Sequence, residues 1–307
     1  MAAATVVKKL SPPSRLEGGG FTIKDLLSGA PNDYIDPFLM WHELPRSYHK
    51  PGQMPGAPMH CHRGFNEVPY CKEISGGNSE QYGHMKMRDH AGKQDLMRPG
   101  DFQWGKVGCG IEHEALIDGR WEGYLHFFQL WVNLPKAHKM DAPFFQDAAA
   151  AALPVVTLAQ NPLVTAKVLV GGLQGKDSPV QPCHVSVEYL DYTLEGGARI
   201  KHQAPPEMTT KLLYIYKGSG SIGNPPISAK MGELLILSSE SLVEIEAGSD
   251  GICFMLATGR PLGEPVVSHG PFVMTTKEEI MQCFKDYQSG ALCRKSCTYE
   301  RYDDAAK

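Results

Sequence analysis

The chain has 307 residues, 42% of them hydrophobic, enough to fill one large domain or two smaller ones. Its 30 Lys+Arg against 34 Asp+Glu give a net charge of −4 with no basic block, which argues against direct nucleic-acid binding through a basic face. Eight cysteines without CxxC spacing, no apolar signal segment at the start and no run near the ~18 apolar residues of a membrane span argue against a secreted disulfide scaffold or a membrane protein.

The expectation is a soluble chain with reduced thiols in the cytosol or nucleus. The alanine-rich, basic start from Met1 to Lys9 leaves an organelle-targeting reading open, with Glu17 and Asp25 soon after it counting against. Thirty-two glycines and 23 prolines cut the sequence into short segments rich in Val, Ile, Tyr and Phe, and long amphipathic helices are scarce. That pattern predicts an all-β sandwich or barrel.

His60-Cys61-His62 is the first informative segment. Side chains at i and i+2 of a strand share a face, so the two imidazoles converge while Cys61 turns away into the core. Further on, Gly108-Cys109-Gly110-Ile111-Glu112-His113-Glu114 supplies a third imidazole if an antiparallel neighbour carries it. Each histidine alone reads as ordinary; together, flanked by glycine turns, they suit iron, nickel, copper or zinc, which imidazoles alone do not distinguish. Arg63 beside the pair is expected to brace the loop by pairing with Asp101 or a backbone carbonyl. Cys109, in its glycine loop, is the candidate reactive thiol.

Phe102 and Trp104 are expected to pack the barrel, and His126–Leu134 reads as a strand. Asp147–Ala152 with Leu153-Pro154 reads as a linker, and Gly171-Gly172-Leu173-Gln174-Gly175 as a hairpin loop rather than a phosphate loop, since no Lys-Ser/Thr follows. His184–Tyr189, Lys211–Gly220 and Gly232–Leu237 are predicted strand units. Pro99-Gly100-Asp101 and Met231-Gly232-Glu233, glycine–acid turns that each open a strand, hint at an internal duplication in which only the first half has the histidine cluster. Thr276-Lys277-Glu278-Glu279 is a capping box, and Ile280, Phe284 and Tyr287 predict a helix over 277–289 packed on the rest.

Asp36-Pro37-Phe38-Leu39, His60-Cys61-His62-Arg63-Gly64-Phe65, Pro99 to Trp104, Gly110-Ile111-Glu112-His113, Gln129 to Pro135 and Glu264 to Met274 together resemble the pirin family of the cupin superfamily. The resemblance runs in order from about residue 36 to 290 and implies an all-β fold. It implies two stacked, jelly-roll-type cupin β-barrels with a short C-terminal helix. The division read from it is an extension and first strands at 1–35 and an N-terminal cupin with the metal site at 36–147. A linker at 148–155, a metal-free C-terminal cupin at 156–290 and a tail at 291–307 follow. It further implies Fe(II) in the first barrel, with Zn, Cu, Ni or Mn compatible with the donors. The implied roles are quercetin 2,3-dioxygenase activity on a flavonol-like molecule, or a non-catalytic co-regulator that binds a transcription factor or signalling protein.

His60, His62 and His113 carry over as metal ligands, but the family's fourth ligand, a glutamate in a His-x-Glu pair, does not: Ala115 stands there. By strand parity Glu114 points away from His113. Glu67 has a spacing found in the broader cupin pattern, yet Asn66 has the parity of the histidines. Three outcomes stay open: Glu67 or Glu114 as fourth donor, three histidines with waters, or a weakened or empty site. If the site is catalytic, Glu67 and Glu114 are the candidate bases for the flavonol hydroxyl.

Overall fold

The protein's structure, a computed structural model, describes residues 2–293 and 300–303. The predicted tail at 291–307 lies partly outside the described residues. Short β segments pair antiparallel almost throughout and gather in two compact units. One comprises Ser14–Asp25, Leu39–Ala150 and Gly263–Lys307; the other comprises Met1–Pro13, Leu26–Phe38 and Ala151–Leu262. Among the described residues no helix is long and apolar enough to cross a membrane.

These units differ from the linear division read in the sequence. Val6–Leu10, read as part of an extension, pairs with Leu234–Leu237 in the second unit. Residues 263–290, read as part of the second barrel, pack in the first, where Phe272, Met274, Ile280 and Cys283 share one buried cluster with Cys61. Arg63 also bridges to Phe272. A short apolar segment can complete any sheet with an unpaired edge, so chain order does not say which one it joins. The linker is shorter than read: Ala148 ends the strand Phe144–Ala148 and Val155 begins Val155–Thr157.

The first unit sets a four-stranded sheet, in the order Ala57–His62, Ile111–Ile117, Met85–Asp89, Gln94–Met97, against a longer sheet that includes Phe38–His49, Gly123–Asn133 and Phe65–Ser75. Ile23, Leu44, Cys71, Leu125 and Phe127 from the longer sheet meet Met85, Met97 and Ile117 from the shorter one in a single core. Alternation in the strands directs one side chain in two inward, which is how the sandwich fills. Phe102 and Trp104 are buried as expected.

The second unit is built on a nine-stranded sheet. Its 18-residue strand Leu242–Gly259 pairs with Arg199–Gln203 along its first part and with Val187–Leu194 along its last. Val187, not His184, opens that second partner; His184 has φ +62 and lies outside the strand. Gly172-Leu173 and Lys176-Asp177 form the expected hairpin around Gln174 and Gly175, both at positive φ. The helix runs Lys277–Gln288 from a complete capping box at Thr276. Its buried residues are Ile280 and Cys283, while Tyr287, predicted on the packed stripe, is exposed.

The two glycine–acid turns are the same structure. Gly100 and Gly232 have φ +86 and +87, and their amides donate to Cys71 and Ile215 carbonyls. Cys71 and Ile215 amides donate back to Asp101 and Glu233, whose carboxylates in turn accept from the Arg98 and Lys230 amides. The repeat hinted at by sequence is therefore real at bond level. It also makes Lys211 the strand equivalent of Glu67, each lying four residues before its turn partner.

Candidate metal centre

His60 and His62 lie on Ala57–His62, and His113 on the antiparallel neighbour, where it sits directly opposite His60. Two residues on one face and a cross-strand partner bring three rings to one point. Ring centroids stand 4.7 Å (His60–His62), 4.5 Å (His60–His113) and 5.0 Å (His62–His113) apart. One nitrogen from each lies within 4.8 Å of the others. Nitrogens about 2.1 Å from a common ion stand about 3 to 3.5 Å apart, so small ring rotations close the set.

Glu67 joins them. Its Oε2 is 3.3 Å from His113 Nε2 and its Oε1 4.0 Å from His62 Nε2, and Gln129 Nε2 donates to Oε1 at 2.7 Å. Parity failed for this residue because Glu67 and His62 are not on one strand. Gly64, at φ +93, turns the chain between Ala57–His62 and Phe65–Ser75, which belong to different sheets. Asn66 faces the opposite way, donating to Val132 and Asn133 carbonyls and accepting from Trp104 Nε1. Glu114 points outward, as parity predicts, and pairs with Arg88 at 2.9 Å. Ala115 contributes only a methyl to the cavity wall.

The neighbouring residues hold this arrangement. Lys139, fully buried, donates through Nζ to the carbonyls of Gly64 (2.8 Å) and Val273 (3.1 Å) and to Asn133 Oδ1 (2.6 Å), and burial pushes its pKa down to about 8. Of the two partners expected for Arg63 the structure has the backbone carbonyl, that of Cys109 (2.5 Å), and not Asp101; Arg63 also donates to Asp286 on the helix (2.6 Å). Asp101 instead accepts from the Arg98 and Ala150 amides. Cys109 is disulfide-bonded, so it is not the free reactive thiol its loop suggested, nor are all the cysteines reduced; sequence spacing does not reveal which cysteines meet in space.

The chemistry of the donor set fits a metal. His60 Nδ1 lies 2.6 Å from the Pro58 carbonyl, which can only accept, so this nitrogen carries the hydrogen and Nε2 presents its lone pair. Both ring nitrogens of His62, His113 Nε2 and Glu67 Oε2 are buried without a hydrogen-bond partner. His62 Nε2, His113 Nε2 and Glu67 Oε2 lie around one point, and each left bare would cost roughly 1–3 kcal/mol unless an ion satisfies it; Nδ1 of His62, on the other side of its ring, cannot reach the same ion. Burial, reinforced by the neighbouring imidazoles, holds His60 below and His62 well below the ordinary histidine range, and burial takes His113 down to about 4. At neutral pH the rings are thus uncharged and able to ligate. Burial pushes Glu67 up to about 7 against the pull of His60 and the Gln129 hydrogen bond.

The four groups sit in a cavity of about 580 Å³ whose wall is largely apolar, with Phe127, Trp131 and five methionines among its residues. That size suits a multi-ring organic molecule. Glu17 and His42, also in the wall, carry no motif that sequence reading could find; they meet only because three strands pair.

Comparison with known proteins agrees with this architecture. The family description "Pirin" matches residues 21–132 and "Pirin C-terminal cupin domain" matches residues 189–293. A pirin-like protein of Solanum lycopersicum is 35% identical over 287 residues, covering 93% of this chain and 91% of its own. A crystal structure of quercetin 2,3-dioxygenase from Acinetobacter baumannii superposes with TM-score 0.84 at 25% identity, covering 94% of this chain and 98% of that one. A bacterial pirin from Escherichia coli in complex with nickel(II) shares the fold, with TM-score 0.58 at 18% identity over 82% of this chain and 96% of that one.

Proposed function

The chain belongs to the pirin family, and from that premise we propose that it is a metal-dependent dioxygenase of flavonol-type substrates. His60, His62, His113 and Glu67 would hold one ion. The observation that carries the reading is the set of unpartnered buried donor atoms on neighbouring side chains that line an apolar cavity. Fe(II) is the ion we assign; a mixed imidazole–carboxylate set also suits nickel, copper, zinc or manganese. When bound, such an ion supplies a Lewis-acidic, redox-capable centre beside the substrate.

The protein's own groups do the rest. Trp131, Phe127 and the methionines enclose a flat ring system and exclude water from it. Gln129 fixes the Glu67 carboxylate, which lines the cavity within reach of a bound flavonol and can receive its hydroxyl proton. Glu114, held by Arg88 on the other face, takes no part.

One observation favours a second reading. Ala115 leaves the site short of the carboxylate implied at that position, which would suit a co-regulator or signalling partner that binds protein without turnover. A single experiment separates the two. Protein loaded with Fe(II) should consume oxygen in the presence of quercetin, and His60→Ala should abolish it; failure with Fe, Ni, Cu, Co and Mn alike supports the second reading.

A further inference from the structure

Resting on the reading of the cavity as a flavonol pocket, we propose that Glu17 is a specificity residue that accepts a hydrogen bond from a phenolic hydroxyl of the ligand, with His42 and Arg15 fixing its carboxylate.

Glu17 ends the strand Ser14–Glu17 and His42 lies on Phe38–His49, joined through Phe21–Asp25. Both line the cavity that contains the imidazoles, and the charge of Glu17 reaches His60. In a wall dominated by methionine and aromatic side chains, a few polar groups set which ligand fits.

The array has a defined polarity. Arg15 Nη2 lies 3.2 Å from His42 Nε2, and a guanidinium only donates, so Nε2 accepts and Nδ1 carries the hydrogen. Nδ1 faces Glu17 Oε2 at 3.0 Å, and Oε2 is buried with acceptor capacity to spare. The side chain as a whole is 37% exposed and lines the cavity, so a ligand there can reach it.

Charge selects the class of group that binds. Arg15 is shared between Glu17 at 3.5 Å and Asp25 at 3.4 Å, so one guanidinium stands against two carboxylates. A cluster with that balance repels an anionic group and favours a donor. Burial raises the affinity of Glu17 for a proton, but His42 and then Arg15 outweigh it and hold the carboxyl below its ordinary range. An ionised acceptor with an O–H donor makes a strong, charge-assisted hydrogen bond. A ligand that meets the imidazoles with its enol and Glu17 with a ring hydroxyl is a polyhydroxylated aromatic.

The test is a titration of metal-loaded protein, followed by quenching of tryptophan fluorescence, with two probes. One is quercetin and the other is the flavonol lacking both hydroxyls on its pendant phenyl ring. Wild type should prefer quercetin by about tenfold, the value of one hydrogen bond to a charged group. Glu17→Leu should erase that preference while its affinity for the second flavonol stays unchanged or rises, which also shows that the variant is folded. Equal affinities in wild type, a preference that survives Glu17→Leu, or equal weakening of both probes overturns the assignment and leaves the flavonol pocket standing. If neither flavonol binds wild type, the pocket reading fails and the assignment with it.

Discussion

Glu67 reaches the imidazoles because Gly64 breaks the strand between it and His62. The residue types of the site were legible: His60, His62 and His113 could be named from spacing, and Glu114 could be turned away by parity. The fourth group could not be chosen, since alternation holds only within one strand and nothing in the sequence says how far a glycine turn resets it. Glu67→Ala should therefore weaken metal binding by at least about 10- to 100-fold in a chelator competition, whereas Glu114→Ala should leave it unchanged. Equal effects would contradict the placement. The raised pKa of Glu67 sets a pH dependence as well. Below about 7 the metal-free carboxyl carries a proton that an arriving ion must displace, while His113, at about 4, is already neutral. Apparent affinity should climb by up to about tenfold per pH unit toward pH 7 and level off above it, with proton release seen by calorimetry in buffers of different ionisation enthalpy. An affinity that is flat from about pH 5 to 7 contradicts the assignment.

Among the elements, the decisive one is the Gly64 turn. Its φ of +93 is left-handed, and a Cβ there would run into the Val273 carbonyl oxygen. That same carbonyl and the Gly64 carbonyl both accept from Lys139, so the position cannot simply relax. Gly64→Ala should cost about 2–4 kcal/mol in chemical denaturation and lower metal affinity in parallel; a neutral substitution would mean that the turn does not set the site. Helix and turns were readable because their signals are local: Thr276 and Glu279 lie three residues apart and form the capping box the sequence spells. Less was readable where packing decides. Tyr287 shares helical spacing with Ile280 yet is exposed, because the buried stripe runs through Cys283 instead. Arg63 chose Asp286 over Asp101, a partner more than 200 residues away that no spacing rule reaches.

In the whole molecule, the repeat sets the proposed site of the first unit against its counterpart position in the second. The two halves share a turn bond for bond, and where the first has Glu67 the second has Lys211, whose buried ammonium donates to the carbonyls of Thr209, Ser238 and Ser239. A cation at that strand position disfavours a metal ion there. The all-β class and the duplication were visible in sequence; the discontinuous assembly of the units was not, since pairing of distant segments leaves no local mark. That assembly predicts a truncation effect. Removing residues 263–307 should cost the first unit its Cys61 cluster and the Arg63–Asp286 bond, and with them metal binding, read as loss of bound iron after desalting. Full retention of iron would show that the segment is dispensable to the site.

The most direct measurement is anomalous diffraction at the iron edge from crystals of Fe(II)-loaded protein. One peak within bonding distance of nitrogens of His60, His62 and His113 and of a Glu67 oxygen is the predicted result. A map with no peak among those four residues, or with the iron held elsewhere, contradicts the account.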